Sequence, residues 1–105
     1  MQEKLWEAVR DGTFDLVASD HSPSTQNLKN GTFETAWGGI SSLQFSLSSM
    51  WTELSARNFT IMDLTRLLSQ GPSKLCNYHD RKGALKIGMD ADFVVWNPDE
   101  KIKVH

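Results

Sequence analysis

A chain of 105 residues, 39% hydrophobic and with four tryptophans, is long enough for one small domain with an apolar core and too apolar for intrinsic disorder. Its net charge of −2, with Lys and Arg scattered singly, supplies no basic stripe for nucleic acid or an anionic membrane surface, and no apolar run reaches spanning length. The single Cys76 rules out an internal disulfide, so a reducing, cytoplasmic compartment is the expectation.

Gln2 to Arg10 places Leu5, Trp6 and Val9 on one helical face, and Asp11-Gly12 supplies a stop. Phe14 to Ser19 has the length and apolar character of a strand buried on both faces, as in a parallel sheet covered by helices. Helix, short turn and buried strand make half of an α/β unit. Pro23 to Ala36 is polar and lacks apolar periodicity, which predicts a long surface loop. The sequons at Asn30 and Asn58 come without a secretory signal and are read as chance matches.

After Trp37-Gly38-Gly39, the residues Ile40, Leu43, Leu47, Met50, Trp51 and Leu54 recur at three- and four-residue spacing, which predicts the buried face of one long helix. Thr60, three residues before Asp63, resembles a capping box with Asp in place of Glu. Ile61, Leu64, Leu67 and Leu68 form the apolar face of the helix it opens. Gly71-Pro72 is expected to end that helix, with Pro72 starting a further short one through Leu75 and Cys76. Cys76, beside Leu75 on an apolar face, reads as a buried structural thiol.

Beyond Tyr78, Lys82-Gly83, Gly88 and Asn97-Pro98 punctuate short runs, and Asp92 to Trp96 is rich in strand-forming residues. This region reads as part of a separate β-subdomain. Ile102-Lys103-Val104 alternates as a further strand would, and the chain stops at His105 without a turn. Because it also begins directly in a helix, both ends are expected to be truncations.

The chemistry gathers at Val17-Ala18-Ser19-Asp20-His21-Ser22-Pro23, where an apolar segment ends in a carboxylate, an imidazole and a hydroxyl. A carboxylate at the C-terminal end of a buried parallel strand is where α/β barrels place catalytic groups. Asp20 in that place suits metal ligation or proton transfer, with His21 and Ser22 orienting a substrate. The alternative is that Asp20 and Ser22 only satisfy backbone N–H groups where strand becomes loop. Gly38-Gly39 either brings backbone groups close to a ligand or is a flexible lead into the helix.

The run from Val17 to Pro23, followed by Ala36-Trp37-Gly38-Gly39-Ile40-Ser41-Ser42-Leu43-Gln44, resembles the C-terminal part of allantoinases, in the cyclic amidohydrolase branch of the amidohydrolase superfamily. Leu68 to Cys76, Lys82 to Gly88 and Asp90 to Trp96 are similar to further stretches of the same family, in the same order. The resemblance implies an α/β fold: a (β/α)8 barrel with a small β-sandwich accessory domain. Residues 1–78 would carry helix 7, strand 8 and the following helices of the barrel, and residues 79–105 part of the accessory subdomain.

The family reaction opens the hydantoin ring of allantoin to allantoate in purine breakdown, using two metal ions, typically zinc. By resemblance, Asp20 ligates one metal and accepts the proton of the bridging hydroxide, while Ser22 and the backbone of Gly38 and Gly39 hold the ring. The complete enzyme would be a homo-oligomer acting on a small molecule. The family's other ligands, a His-x-His pair, a carboxylated lysine and two further histidines, lie in segments not present here. One Asp supplies too few ligands for a catalytic zinc, so this chain alone is expected neither to retain zinc nor to hydrolyse allantoin. Alone, it is also expected to be partly molten or aggregated. Related alternatives are a hydantoinase, dihydropyrimidinase or dihydroorotase, which share the barrel and the carboxylate, and a non-catalytic scaffold built on the same fold.

Overall fold

A computed structural model describes residues 1–103. Helix α1, Gln2–Arg10, lies across the end of a helical hairpin. The first arm of the hairpin is α2, Ser46–Ser55, entered through a 3₁₀ turn at Leu43–Phe45. The second arm is a continuous helical run made of α3, Ile61–Thr65, a wide π turn at Arg66–Gln70, and α4, Gly71–Leu75.

The apolar faces of these helices meet in a small core of Val9, Leu54, Phe59, Leu64 and Leu67, against which Trp6, Val17, Met50 and Trp96 pack. Leu54 and Leu67 are fully buried, one from each arm of the hairpin. Trp6 of α1 packs at a tilt on Phe59, with ring centroids 6.1 Å apart, and Arg10 and Arg57 cover the outer faces of Phe59 and Trp6. Arg57 also joins Glu3 of α1 to Glu53 of α2, which ties the first helix to the hairpin at its solvent edge.

Asparagine ends both arms. Asn58 (φ +60°) and Asn77 (φ +57°) take the left-handed conformation, and the next residue reaches back across the last turn: Phe59 N–H to the Leu54 carbonyl at 3.0 Å, and Tyr78 N–H to the Ser73 carbonyl at 2.8 Å. Asparagine tolerates this conformation better than other non-glycine residues. Thr60 then opens α3 with a reciprocal capping box. Its hydroxyl accepts the Asp63 N–H, and the Asp63 carboxylate accepts the Thr60 N–H at 2.8 Å, as the sequence predicts.

Gly71-Pro72 does not end the second arm. Proline lacks the N–H that would bond the carbonyl four residues back and its ring crowds that carbonyl, and the wide turn just before it absorbs the mismatch. The Gly71 N–H bonds the Arg66 carbonyl, five residues back, and so bypasses Leu67. The released Leu67 carbonyl instead accepts the N–H of Val17 at 3.1 Å. Gly71 lies directly against that segment: a Cβ there would collide with the Asp15 carbonyl and come within 2.8 Å of the Leu16 Cβ. Arg66 adds bonds to the carbonyls of Val9 and Phe14. Residues 14–17 are therefore held by a helix.

Among the described residues neither Phe14–Ser19 nor Asp92–Trp96 is a strand. A strand requires a neighbour to take its peptide groups, and Val17 finds a helical carbonyl in place of one. Val94 and Val95 are exposed. Trp96 is held by an edge-to-face contact with Trp51, whose indole N–H donates to the Pro98 carbonyl at 3.1 Å. The turn before it is closed by Arg81 and Lys82 on Asp90 and Asp92, and by the Asp90 N–H on the Arg81 carbonyl. Of the expected final strand, Val104 lies outside the described residues, as does His105.

Three further expectations change. Ile40 and Leu43 are exposed, because the helix expected from residue 40 begins regular α geometry only at Ser46. Cys76 is exposed, since α4 ends there and turns its last residues outward. The 23–36 segment contains a 3₁₀ turn, Gln26–Lys29. The radius of gyration, 16.5 Å, exceeds the ~13 Å of a compact domain this size, in keeping with so many apolar side chains on the surface. No helix among the described residues is long and apolar enough to cross a membrane.

Candidate functional site

Asp20 occupies the left-handed region at φ +45°, a conformation that Asp reaches more readily than most residues. Bonds from residues 40–43 hold the chain on both sides of it. The Ser42 hydroxyl donates to the Ser19 carbonyl at 2.7 Å, the Leu43 N–H donates to His21 Nδ1 at 3.0 Å, and the Ser22 N–H donates to the Ile40 carbonyl at 3.0 Å. The residues before and after Asp20 are thus pinned to the lead into α2. The Asp20 side chain is exposed between them, and among the described residues it caps no backbone N–H.

Ser22 is also engaged through its side chain, with the Trp37 indole N–H donating to its hydroxyl at 3.3 Å. Gly39 (φ +85°) lies flat against Ser22, so close that a Cβ would sit 2.5 Å from the Ser22 Cβ. Lys29 reaches across the loop and donates from Nζ to the Gly39 carbonyl at 2.7 Å, while Trp37 N–H bonds the Leu28 carbonyl. These contacts fold residues 23–39 back onto the Asp20 turn. Gly38 has open space where a Cβ would go.

Of the five residues expected to act together, His21, Ser22 and Gly39 touch the facing segment, Asp20 is exposed on the turn beside them and Gly38 meets open space; one backbone bond, the Ser42 hydroxyl and the His21 imidazole join the two segments. Gly39 makes its close approach to Ser22 and Gly38 is unconstrained, which leaves both readings of the glycines open. Lys29, Trp37 and Ser42 carry the geometry without having been assigned roles from sequence. Trp37 and Ser42 lie in the run that resembles allantoinases, whereas a lone lysine in a polar loop has no pattern that marks it.

The amidohydrolase family profile matches residues 1–104. This chain belongs to the amidohydrolase family. It is 49% identical over 99% of its length to a protein named probable allantoinase 2 from Dictyostelium discoideum, 48% over 98% to an allantoinase from Streptomyces avermitilis, and 45% over 98% to one from Arabidopsis thaliana. It spans only 22%, 23% and 21% of those three proteins, about a fifth of each.

Amidohydrolases are generally metal-dependent, so the donors of this amidohydrolase segment can be tested against that need. Among the described residues no three His, Cys, Asp or Glu side chains converge. Asp20 is a single carboxylate, and Nδ1 of the adjacent His21 is already occupied by the Leu43 N–H. A catalytic zinc takes about three protein ligands, so this set does not by itself fit a metal centre. The geometry does present one exposed carboxylate on a pinned turn, flanked by a serine hydroxyl and a glycine backbone.

Proposed function

We propose that this chain is a C-terminal segment of an allantoinase-type hydrolase, which opens the hydantoin ring of allantoin to allantoate in purine breakdown. The observation that carries the proposal is the meeting of residues 19–22 with residues 37–43 around Asp20. Those two runs are among the five stretches that resemble allantoinases, and their contact gives that part of the likeness a physical purpose. On this reading Ser22, Gly38 and Gly39 hold the ring, and Asp20 supplies one carboxylate ligand and proton acceptor. The remaining ligands of a zinc centre come from outside residues 1–105.

The same reading assigns residues 1–78 to a (β/α)8 barrel and residues 79–105 to a β-sandwich accessory domain, in a cytoplasmic homo-oligomer. Support for the barrel comes from residues 14–19, a largely apolar segment that has no strand beside it among the described residues and is held at Val17 by a helix carbonyl. Support for the accessory sheet comes from Phe93, Val94 and Val95, strand-forming residues left exposed.

The test is to recover the native protein carrying this segment by immunoprecipitation and measure its intact mass, its zinc content and its turnover of allantoin, hydantoin, dihydrouracil and dihydroorotate. The expected result is a chain of at least ~250 residues, carrying zinc and preferring allantoin. Asp20→Asn in that protein should lower kcat by at least about 100-fold. A stable, zinc-free protein of 105 residues, or preference for another cyclic amide, would overturn the proposal.

A further inference from the structure

His21 points away from the role its neighbour would suggest. Its Nδ1 accepts the Leu43 N–H at 3.0 Å, across 22 residues of sequence. Leu43 is the first residue of the 3₁₀ turn that opens into α2, where N–H groups have no partner within the helix. Ser42, the residue before it, offers that turn no side-chain cap, and its hydroxyl donates to the Ser19 carbonyl. An imidazole that accepts at Nδ1 is the neutral tautomer with its hydrogen on Nε2.

We propose that His21 is a positioning residue: it caps the helix start from a distance and thereby sets the backbone turn that presents Asp20. Asp20 sits at φ +45°, and the residues on either side of it each reach the same short stretch, Ser19 to Ser42 and His21 to Leu43. Removing the His21 bond leaves the turn held from the Ser19 side and by the Ser22 backbone alone. The carboxylate then sits on a turn whose nearest C-terminal tether is Ser22, two residues on, and is held less tightly. The role of Asp20 in this inference rests on the hydrolase reading above, whereas the contact itself does not.

The chemistry of substitution separates this role from others. Asparagine places its side-chain oxygen where Nδ1 sits and so can still accept the Leu43 N–H, whereas glutamine places its amide near Nε2. In the intact native protein, His21→Ala should lower kcat by about 10-fold or more, as loss of a supporting contact typically does. KM for allantoin should stay within about twofold. His21→Asn should recover most of that loss, and His21→Gln should not.

Hydrogen–deuterium exchange of peptides covering residues 40–46 provides a readout independent of turnover. Protection there should fall in the Ala and Gln variants and return in the Asn variant. If Asn is as impaired as Ala in both measurements, or if Ala matches the parent in both, the proposal is overturned. If the intact parent does not hydrolyse allantoin while exchange follows the expected order, the hydrolase reading fails and the helix-capping contact stands.

Discussion

Gly39 and Ser22 touch so closely that a Cβ on Gly39 would lie 2.5 Å from the Ser22 Cβ and 2.7 Å from its hydroxyl. No residue but glycine fits there, both for space and because φ is +85°. Gly39→Ala should cost about 1–2 kcal/mol in backbone strain alone, and should push Ser22 off Trp37 so that KM rises. Gly38→Ala, which meets open space, should stay within about 0.5 kcal/mol of the parent. Thermal melts and Michaelis constants of the two variants in the intact protein check the contrast. Equal effects would mean that the pair is only a flexible lead into the helix.

Gly71 poses a test of sign. By helix propensity alone, alanine at a helical glycine should stabilise by up to about 1 kcal/mol. Here the added methyl meets the Asp15 carbonyl and the Leu16 Cβ, and backbone cannot yield as the tip of a side chain can. Gly71→Ala should therefore destabilise by about 1–3 kcal/mol, seen as a lower denaturation midpoint and faster exchange at the Val17 amide. A stabilised variant would show that residues 14–17 are free to move away from the helix.

The capping box at Thr60 and Asp63 makes a pH-dependent contribution. The Asp63 carboxyl is held below its usual range, first by the Thr60 N–H and then by the Thr60 hydroxyl. A carboxyl depressed in the folded state stabilises fully above its unfolded pKa of about 3.9 and loses that contribution as pH falls through the lower folded value. Thr60→Ala should cost about 1 kcal/mol at neutral pH. Asp63→Asn should flatten the acid side of the stability profile measured between pH 6 and 2.

Expressed alone, the 105-residue chain should bind a hydrophobic dye and melt without a sharp transition. Its buried apolar core consists of Val9, Leu54, Phe59, Leu64 and Leu67, while Phe33, Ile87 and Val95 stand almost wholly in solvent. A monomer with a cooperative melt in calorimetry would contradict this expectation.

Much of the helical structure was legible from local signals. The face of Leu5, Trp6 and Val9, the Thr60–Asp63 spacing and the periodicity from Leu47 to Leu54 each depend on neighbours within two turns. The joining of Asp20, Ser22 and Gly39 was legible only through likeness to a family, because no local rule pairs residues separated by a polar loop. Features set by long-range partners were hidden. Nothing in the composition of Phe14–Ser19 says that Val17 will bond a helix carbonyl, and nothing near Lys29 says that it will reach Gly39. Gly71-Pro72 misled because the usual reading of proline ignores the option of widening the turn before it.

That wide turn amounts to one residue more than a regular helix would hold between Arg66 and Gly71. Deleting a single residue there would restore uniform winding and rotate everything beyond it by about 100°. The Leu67 carbonyl would be reclaimed by its own helix, and Gly71 would turn away from Asp15. In any lineage of this chain, residues 66–70 should therefore accept exchange of side chains far more readily than a change of length.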